Sequence, residues 1–194
     1  MKSIKSKILN RVALIEGNLD LLERKIIDIS NLVSSVIESE GKLMFCGNGG
    51  SAAECQHMSA EYCATLDHKR PRSGIASISL TTDTSFLTAW TNDFGFKNVF
   101  SRQVETLGKE GDLLFCYSTS GNSENVCEAA KIAQEKKIKV VGFTGNQASI
   151  KLEKYCDEIF RAPCNQTMII QEFHTIVGHE ICMEVEKKLF FDKK

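Results

Sequence analysis

Four histidines and a small set of carboxylates and amides narrow where this 194-residue chain could move protons or hold a metal ion. His57 and Glu61 stand four residues apart in a helical pattern, which puts both on one helix face. Such a pair is either a hydrogen-bonded surface couple or half of an acid/base or metal-binding set. Gln171 and His179 are eight residues apart in a C-terminal helical pattern, roughly 12 Å along the axis at 1.5 Å per residue. One ion would reach both only from midway, with both side chains extended toward it, so spacing alone leaves a zinc site open. His174, in the same helix, fits a core or a surface position. His68 sits in the polar turn Asp67-His68-Lys69-Arg70, and neither residue has a chemical role on this evidence.

Two loops carry a second kind of chemistry. The apolar run Leu113-Leu114-Phe115-Cys116-Tyr117 turns abruptly into Ser118-Thr119-Ser120-Gly121-Asn122-Ser123, and a helical pattern follows. Upstream, Leu43-Met44-Phe45-Cys46 runs into Gly47-Asn48-Gly49-Gly50-Ser51, again before a helical pattern. Unpaired backbone N–H groups and the positive end of the helix dipole favour a phosphate at such places, and Ser and Thr hydroxyls add donors. One loop of this type also makes an ordinary strand-to-helix turn. Two at the same edge of one sheet point to a phosphorylated ligand.

The elements that must position these groups alternate. Strand candidates are 43–46, 75–80, 113–117, 140–144 and 158–161; helical patterns fall at 52–64, 84–90, 97–107, 125–135 and 150–154. Alternation of this kind implies a parallel sheet covered by helices on both faces, with ligands at the carboxyl ends of its strands, where both loops lie. A chain with 42% apolar residues can bury one good core, and only two prolines and no low-complexity tract interrupt it. Its 24 basic and 25 acidic residues leave a net charge of -1, which provides no electrostatic footprint for nucleic acid. The opening Met1-Lys2-Ser3 leads into no apolar signal core, and no apolar run approaches a membrane span. The expectation is a soluble, cytoplasmic protein. Its eight cysteines form no Cys-x-x-Cys pair, and several fall inside apolar runs, as reduced, mostly buried thiols do.

The first 40 residues differ. Ile8, Val12, Ile15, Leu19, Leu22, Ile26, Ile29, Val33 and Val36 follow alternating steps of four and three, a heptad-type stripe. Gly17-Asn18 marks a kink or break. The stripe predicts helices packed in a bundle between subunits, against the alternative that they fold only onto their own domain.

Taken together, Cys46-Gly47-Asn48-Gly49-Gly50-Ser51-Ala52-Ala53 with Gln56-His57 and Glu61, then Leu80-Thr81-Thr82-Asp83-Thr84-Ser85, Asn92-Asp93-Phe94-Gly95, the 118–123 loop, and Gln171-Glu172 followed by Gly178-His179 resemble the bacterial phosphoheptose isomerases, sedoheptulose 7-phosphate isomerases of the sugar isomerase (SIS) domain superfamily. The resemblance runs nearly the whole chain. It implies an α/β fold: a single SIS-type domain over residues 1–194, built as a flavodoxin-like three-layer sandwich. Residues 1–40 would be a helical oligomerisation segment, and residues 41–194 the sugar-phosphate-binding core with the C-terminal helix. It also implies one zinc ion per subunit held by His57, Glu61, Gln171 and His179. Substrate contacts would come from Asn48, Gly49, Gly50, Ser51, Glu61, Asn92, Asp93, Ser118, Thr119, Ser120, Ser123 and Gln171, in a cytoplasmic homotetramer with sites near subunit contacts. Met168-Ile169-Ile170 depart from the charged or polar residue of several relatives, which bears on sugar or anomer preference.

The implied reaction turns a 2-ketose into a 2-hydroxyaldehyde, making D-glycero-D-manno-heptose 7-phosphate for surface glycans. An enediol route needs a base, for which Glu61 is suited, and a second proton carrier, for which His179 is suited. The competing expectation is a noncatalytic SIS protein, a phosphosugar sensor or interaction scaffold, which would keep the loops and lose the acid/base set.

Overall fold

The computed structural model describes residues 3–192. Two N-terminal helices, α1 (Ile4–Glu16) and α2 (Leu19–Glu38), precede an alternation of β1 (Leu43–Gly47), α3 (Gly50–Cys63), β2 (Ser77–Ser79), α4 (Thr84–Phe94), α5 (Val99–Leu107), β3 (Leu113–Tyr117), α6 (Glu124–Glu135), β4 (Lys139–Thr144), β5 (Glu158–Arg161) and α7 (Thr167–Glu186). All strand pairs are parallel, in the order β2-β1-β3-β4-β5. The chain direction across the sheet reverses between β1 and β3, and a doubly wound sheet opens a ligand crevice at that switch point. The two Gly/Ser loops leave the sheet there.

Strands covered on both faces are apolar throughout, and alternate residues divide the core. Phe45, Phe115, Tyr117, Phe143 and Phe160 face α2, α3 and α7. Met44, Cys46, Leu114, Cys116 and Val140 face α5 and α6. Two predicted elements differ from the structure. The 75–80 run shortens to β2 because the Ile75 N–H turns away to the carbonyl of Tyr62, leaving a short edge strand. The 150–154 pattern yields only a 3-10 turn at Glu153–Tyr155. There the Leu152 N–H is spent on the Gly121 carbonyl and the Lys151 N–H on Asn122 Oδ1 at 3.0 Å, so neither is free to enter a helix. The segment buttresses the 118–123 loop instead.

The N-terminal stripe also divides. The break falls at Gly17-Asn18, where Asn18 Nδ2 caps the Leu14 carbonyl at 2.7 Å. Beyond it, Leu22, Ile29, Val33 and Val36 are buried in the chain's own core. That overturns the subunit-bundle expectation for these four residues: a helix lying across a sheet and α7 needs a broad apolar face, which α2 supplies. Ile8, Val12 and Leu19 stay exposed, with Ile4, Leu9 and Ile27 beside them. Among the described residues all eight cysteines are free.

His174 is a core residue. Its ring packs edge-on against Phe143, Tyr117 and Phe160, and Nε2 donates to the Thr144 carbonyl at 3.2 Å. Burial pushes its pKa down to about 4. A histidine held neutral in the fold and free to protonate when unfolded contributes stability that is full above pH ~6.5 and fades as pH falls toward 4. Between pH 7 and 4.5, wild type should therefore lose roughly 2 to 3 kcal/mol more than His174→Leu. Urea unfolding at both pH values measures the difference, and equal losses would refute it.

Candidate active site

The sequence around β1 and α3 is built for close approach. α3 starts at once after Gly49, with the Ser51 N–H bonded to the Asn48 carbonyl. Gly50 makes room for α7: a Cβ there would lie 2.5 Å from Gln171 Nε2 and push that amide aside. α7 therefore packs its Gln171 directly on the mouth of the first loop. Ser51 is buried beneath.

About one, two and three turns into α3, three side chains share a face: Glu54, His57 and Glu61. His57 Nε2 lies 3.3 Å from Glu61 Oε1 and 3.2 Å from His179 Nε2, across from α7. The ligand atoms of His57, Glu61 and His179 all lie within 4.8 Å of one another. Three ligand-capable atoms from two imidazoles and a carboxylate, brought this close, form a group that could hold a cation. Zinc bonded at about 2.1 Å in a tetrahedron sets neighbouring ligand atoms about 3.4 Å apart; the two separations from His57, 3.2 and 3.3 Å, are close to that, and the Glu61–His179 pair, within 4.8 Å, would have to draw in. The donor set of two imidazoles and a carboxylate suits that metal. Gln171 lines the same groove as His57, together with Gly50, Ala53, Glu54 and Thr175, so three of the expected ligands meet and the fourth lies beside one of them.

Glu54 went unnoticed in the sequence. Its Oε2 accepts from Thr175 Oγ1 at 2.8 Å and stands 3.9 Å from His57 Nδ1, while Oε1 is buried with no partner among the described residues. The signal was present as the 54, 57, 61 spacing of one helix face. At 3.9 Å the Glu54 carboxylate is a nearby negative charge behind the His57 ring rather than a hydrogen-bond acceptor for it.

The second loop is ordered by its own hydroxyls. Ser118 Oγ pairs with Ser123 Oγ at 2.9 Å and Ser120 Oγ at 3.4 Å, and Ser120 Oγ accepts the Asn122 N–H at 3.1 Å. Gly121 turns with φ 64°, and a Cβ there would strike Ile150 at 2.4 Å. Ser123 stands at the head of α6 without capping it by its side chain; the Val126 N–H bonds Asn125 Oδ1 at 3.0 Å, which leaves the N–H groups of Glu124 and Asn125 to face an anion. The Thr119 carbonyl holds the Gly145 N–H.

Asn125, also missed, ties the two loops together. Asn48 Nδ2 donates to Asn125 Oδ1 at 2.8 Å and Asn125 Nδ2 donates back to Asn48 Oδ1 at 2.9 Å. Asn92 and Asp93 are not brought in: they lie exposed near the end of α4, with Asn92 Nδ2 bonded to Asp93 Oδ1 at 2.8 Å.

The SIS domain family pattern matches residues 10–145. A phosphoheptose isomerase of Aneurinibacillus thermoaerophilus is 40% identical over 192 residues, 98% of this chain and 96% of that protein. The structure of a phosphoheptose isomerase from Neisseria gonorrhoeae superimposes with a TM-score of 0.87 at 35% identity, covering 95% of this chain and 97% of the other. One from Francisella tularensis gives 0.88 at 30% identity, covering 95% and 96%. With that likeness running from α1 through α7, the chain belongs to the SIS domain family and, within it, to the phosphoheptose isomerases.

Proposed function

We propose that the chain isomerises sedoheptulose 7-phosphate to D-glycero-D-manno-heptose 7-phosphate, an early step toward activated heptose for surface glycans. The observation that supports it best is the meeting of His57, Glu61 and His179 across the α3–α7 seam, a set that a noncatalytic phosphosugar binder has no need to keep.

The phosphate sits against Ser118, Thr119, Ser120 and Ser123 at the head of α6, and the heptulose chain extends over Asn48, Gly49, Gly50 and Ser51 toward Gln171. Binding energy from the phosphate orients the reacting carbons. Glu61 takes a proton from C1 while His179 delivers one to the C2 oxygen, giving the enediol. His179 then takes the proton from the C1 hydroxyl as the aldehyde forms, and Glu61 returns its proton to C2. Both carriers end as they began. A zinc ion held by His57, Glu61, Gln171 and His179 would polarise the carbonyl and stabilise the charge developing on oxygen, and would occupy the His179 Nε2 lone pair, so the proton transfers assigned to His179 belong to the site without the ion. Glu61 Oε1 faces His57, so the carboxylate's second oxygen serves the substrate.

The working form is a homotetramer in the cytoplasm. The exposed apolar side chains of α1, Ile4, Ile8, Leu9 and Val12, with Met168 of α7, support assembly. No described helix is long and apolar enough to cross a membrane.

Steady-state assays with sedoheptulose 7-phosphate and with a shorter ketose phosphate test the assignment. Turnover of the heptulose is expected; binding without turnover of either sugar would favour the noncatalytic reading. Ser120→Ala should raise KM roughly tenfold or more, the worth of one hydrogen bond to a charged group, with kcat and the melting temperature little changed. Unaltered kinetics with a large loss of stability would make that hydroxyl structural.

A further inference from the structure

The turn of α3 that carries Glu61 is closed from outside the helix by one buried side chain. Arg72 is 1% exposed, and its Nη2 donates to the backbone carbonyl of Glu61 itself at 2.9 Å. Its Nη1 reaches the carbonyls of Tyr62 at 2.8 Å, Ala64 at 3.1 Å and Ser73 at 2.9 Å. Nε donates to Glu186 Oε1 at 2.9 Å. Glu186, 2% exposed, is the last residue of α7 and also accepts the Leu66 N–H at 2.9 Å.

Stability alone does not call for this arrangement. A buried ion pair is no better for stability than well-packed apolar residues of similar volume, and α3 already meets α7 through Met58, Tyr62, Val177 and Ile181. Apolar packing is non-directional and leaves a helix's rotation loosely set. A planar guanidinium with five N–H donors fixes orientation. Here it grips the terminal carbonyls of α3 while its anion belongs to α7, and His179 lies seven residues, about two turns, before that anion on the same helix.

We propose that Arg72 and Glu186 are positioning residues for the isomerisation: the buried pair locks the last turn of α3 to the end of α7 and so sets Glu61 against His179. The inference rests on the isomerase reading above. Neither side chain touches the substrate; both act through the backbone of Glu61 and the axis of α7.

The test is a kcat and KM series on the intact protein. Arg72→Lys keeps the charge facing Glu186 but loses the fork that reaches Glu61. Arg72→Met with Glu186→Leu replaces the pair by apolar side chains and keeps a folded chain accessible. Val33→Ala, a core truncation in α2, serves as the control for general loosening. Both pair variants should lower kcat about 10- to 100-fold, the usual penalty for a misplacement near 1 Å, with KM within about twofold because the 118–123 loop holding the phosphate is untouched. Val33→Ala should melt earlier with kcat unchanged at a temperature where it is folded. Folded pair variants with kcat within twofold of wild type would overturn the proposal. So would failure of both to fold, which would make the pair a folding determinant. Inactivity of wild type toward the heptulose phosphate would instead remove the isomerase reading, and that arm is measured first.

Discussion

Glu61→Gln should yield a folded protein of unchanged assembly whose turnover falls by a factor of roughly 100 to 10,000, the range set by loss of a positioned base. The amide keeps the shape of the side chain that faces His57 at 3.3 Å but cannot accept the C1 proton. It also removes the negative charge from the convergent set, so the two imidazole nitrogens 3.2 Å apart lose the carboxylate that favours a cation between them. Both consequences lower the rate. The check is kcat at saturating sedoheptulose 7-phosphate alongside a melting curve. A folded variant with kcat within tenfold of wild type would mean that the base lies elsewhere.

The second large effect concerns the N-terminal stripe. Ile29 is fully buried in α2, inside the core shared with α7 and the sheet, so Ile29→Glu should abolish the cooperative unfolding transition. An unpaired buried carboxylate costs several kcal/mol, added to the lost apolar packing of about 2 kcal/mol or more, against a total stability of about 5 to 15 kcal/mol. Ile8 is 56% exposed on α1, and Ile8→Glu with Val12→Glu should leave the chain folded while lowering its sedimentation coefficient as subunits separate. Circular dichroism and sedimentation velocity on both variants distinguish the outcomes. A folded, merely dissociated Ile29→Glu protein would restore the expectation that the stripe's second half lies between subunits.

Much of this architecture is legible in the residues. Strand runs that are apolar on both faces, broken by Gly/Ser loops and followed by amphipathic patterns, specify a parallel sheet and the edge at which ligands gather. The pairing of His57 with Glu61 follows from helical spacing. Their meeting with His179 does not, because a contact between residues 122 positions apart in the chain depends on how α7 crosses α3. Residues 150–154 read as a helical pattern, but the backbone donors of Lys151 and Leu152 are claimed by a loop 29 to 31 positions earlier. The heptad-type stripe was ambiguous for a similar reason. Core and interface both select apolar residues at that spacing, and only the packing of α2 against α7 decides between them. Glu54, Asn125 and Arg72 escaped notice because each acts through one long-range partner, Thr175, Asn48 or Glu186.

The most direct test of an enediol isomerase in this chain is to follow sedoheptulose 7-phosphate by NMR in deuterated water with the purified protein. The account predicts a new aldose 7-phosphate carrying deuterium at C2, since the proton on Glu61 exchanges with solvent before it is returned, and a signal that grows roughly 100-fold or more slowly with Glu61→Gln. An unchanged ketose with wild type, or an aldose that keeps the original C1 hydrogen at C2 in every molecule, would contradict it.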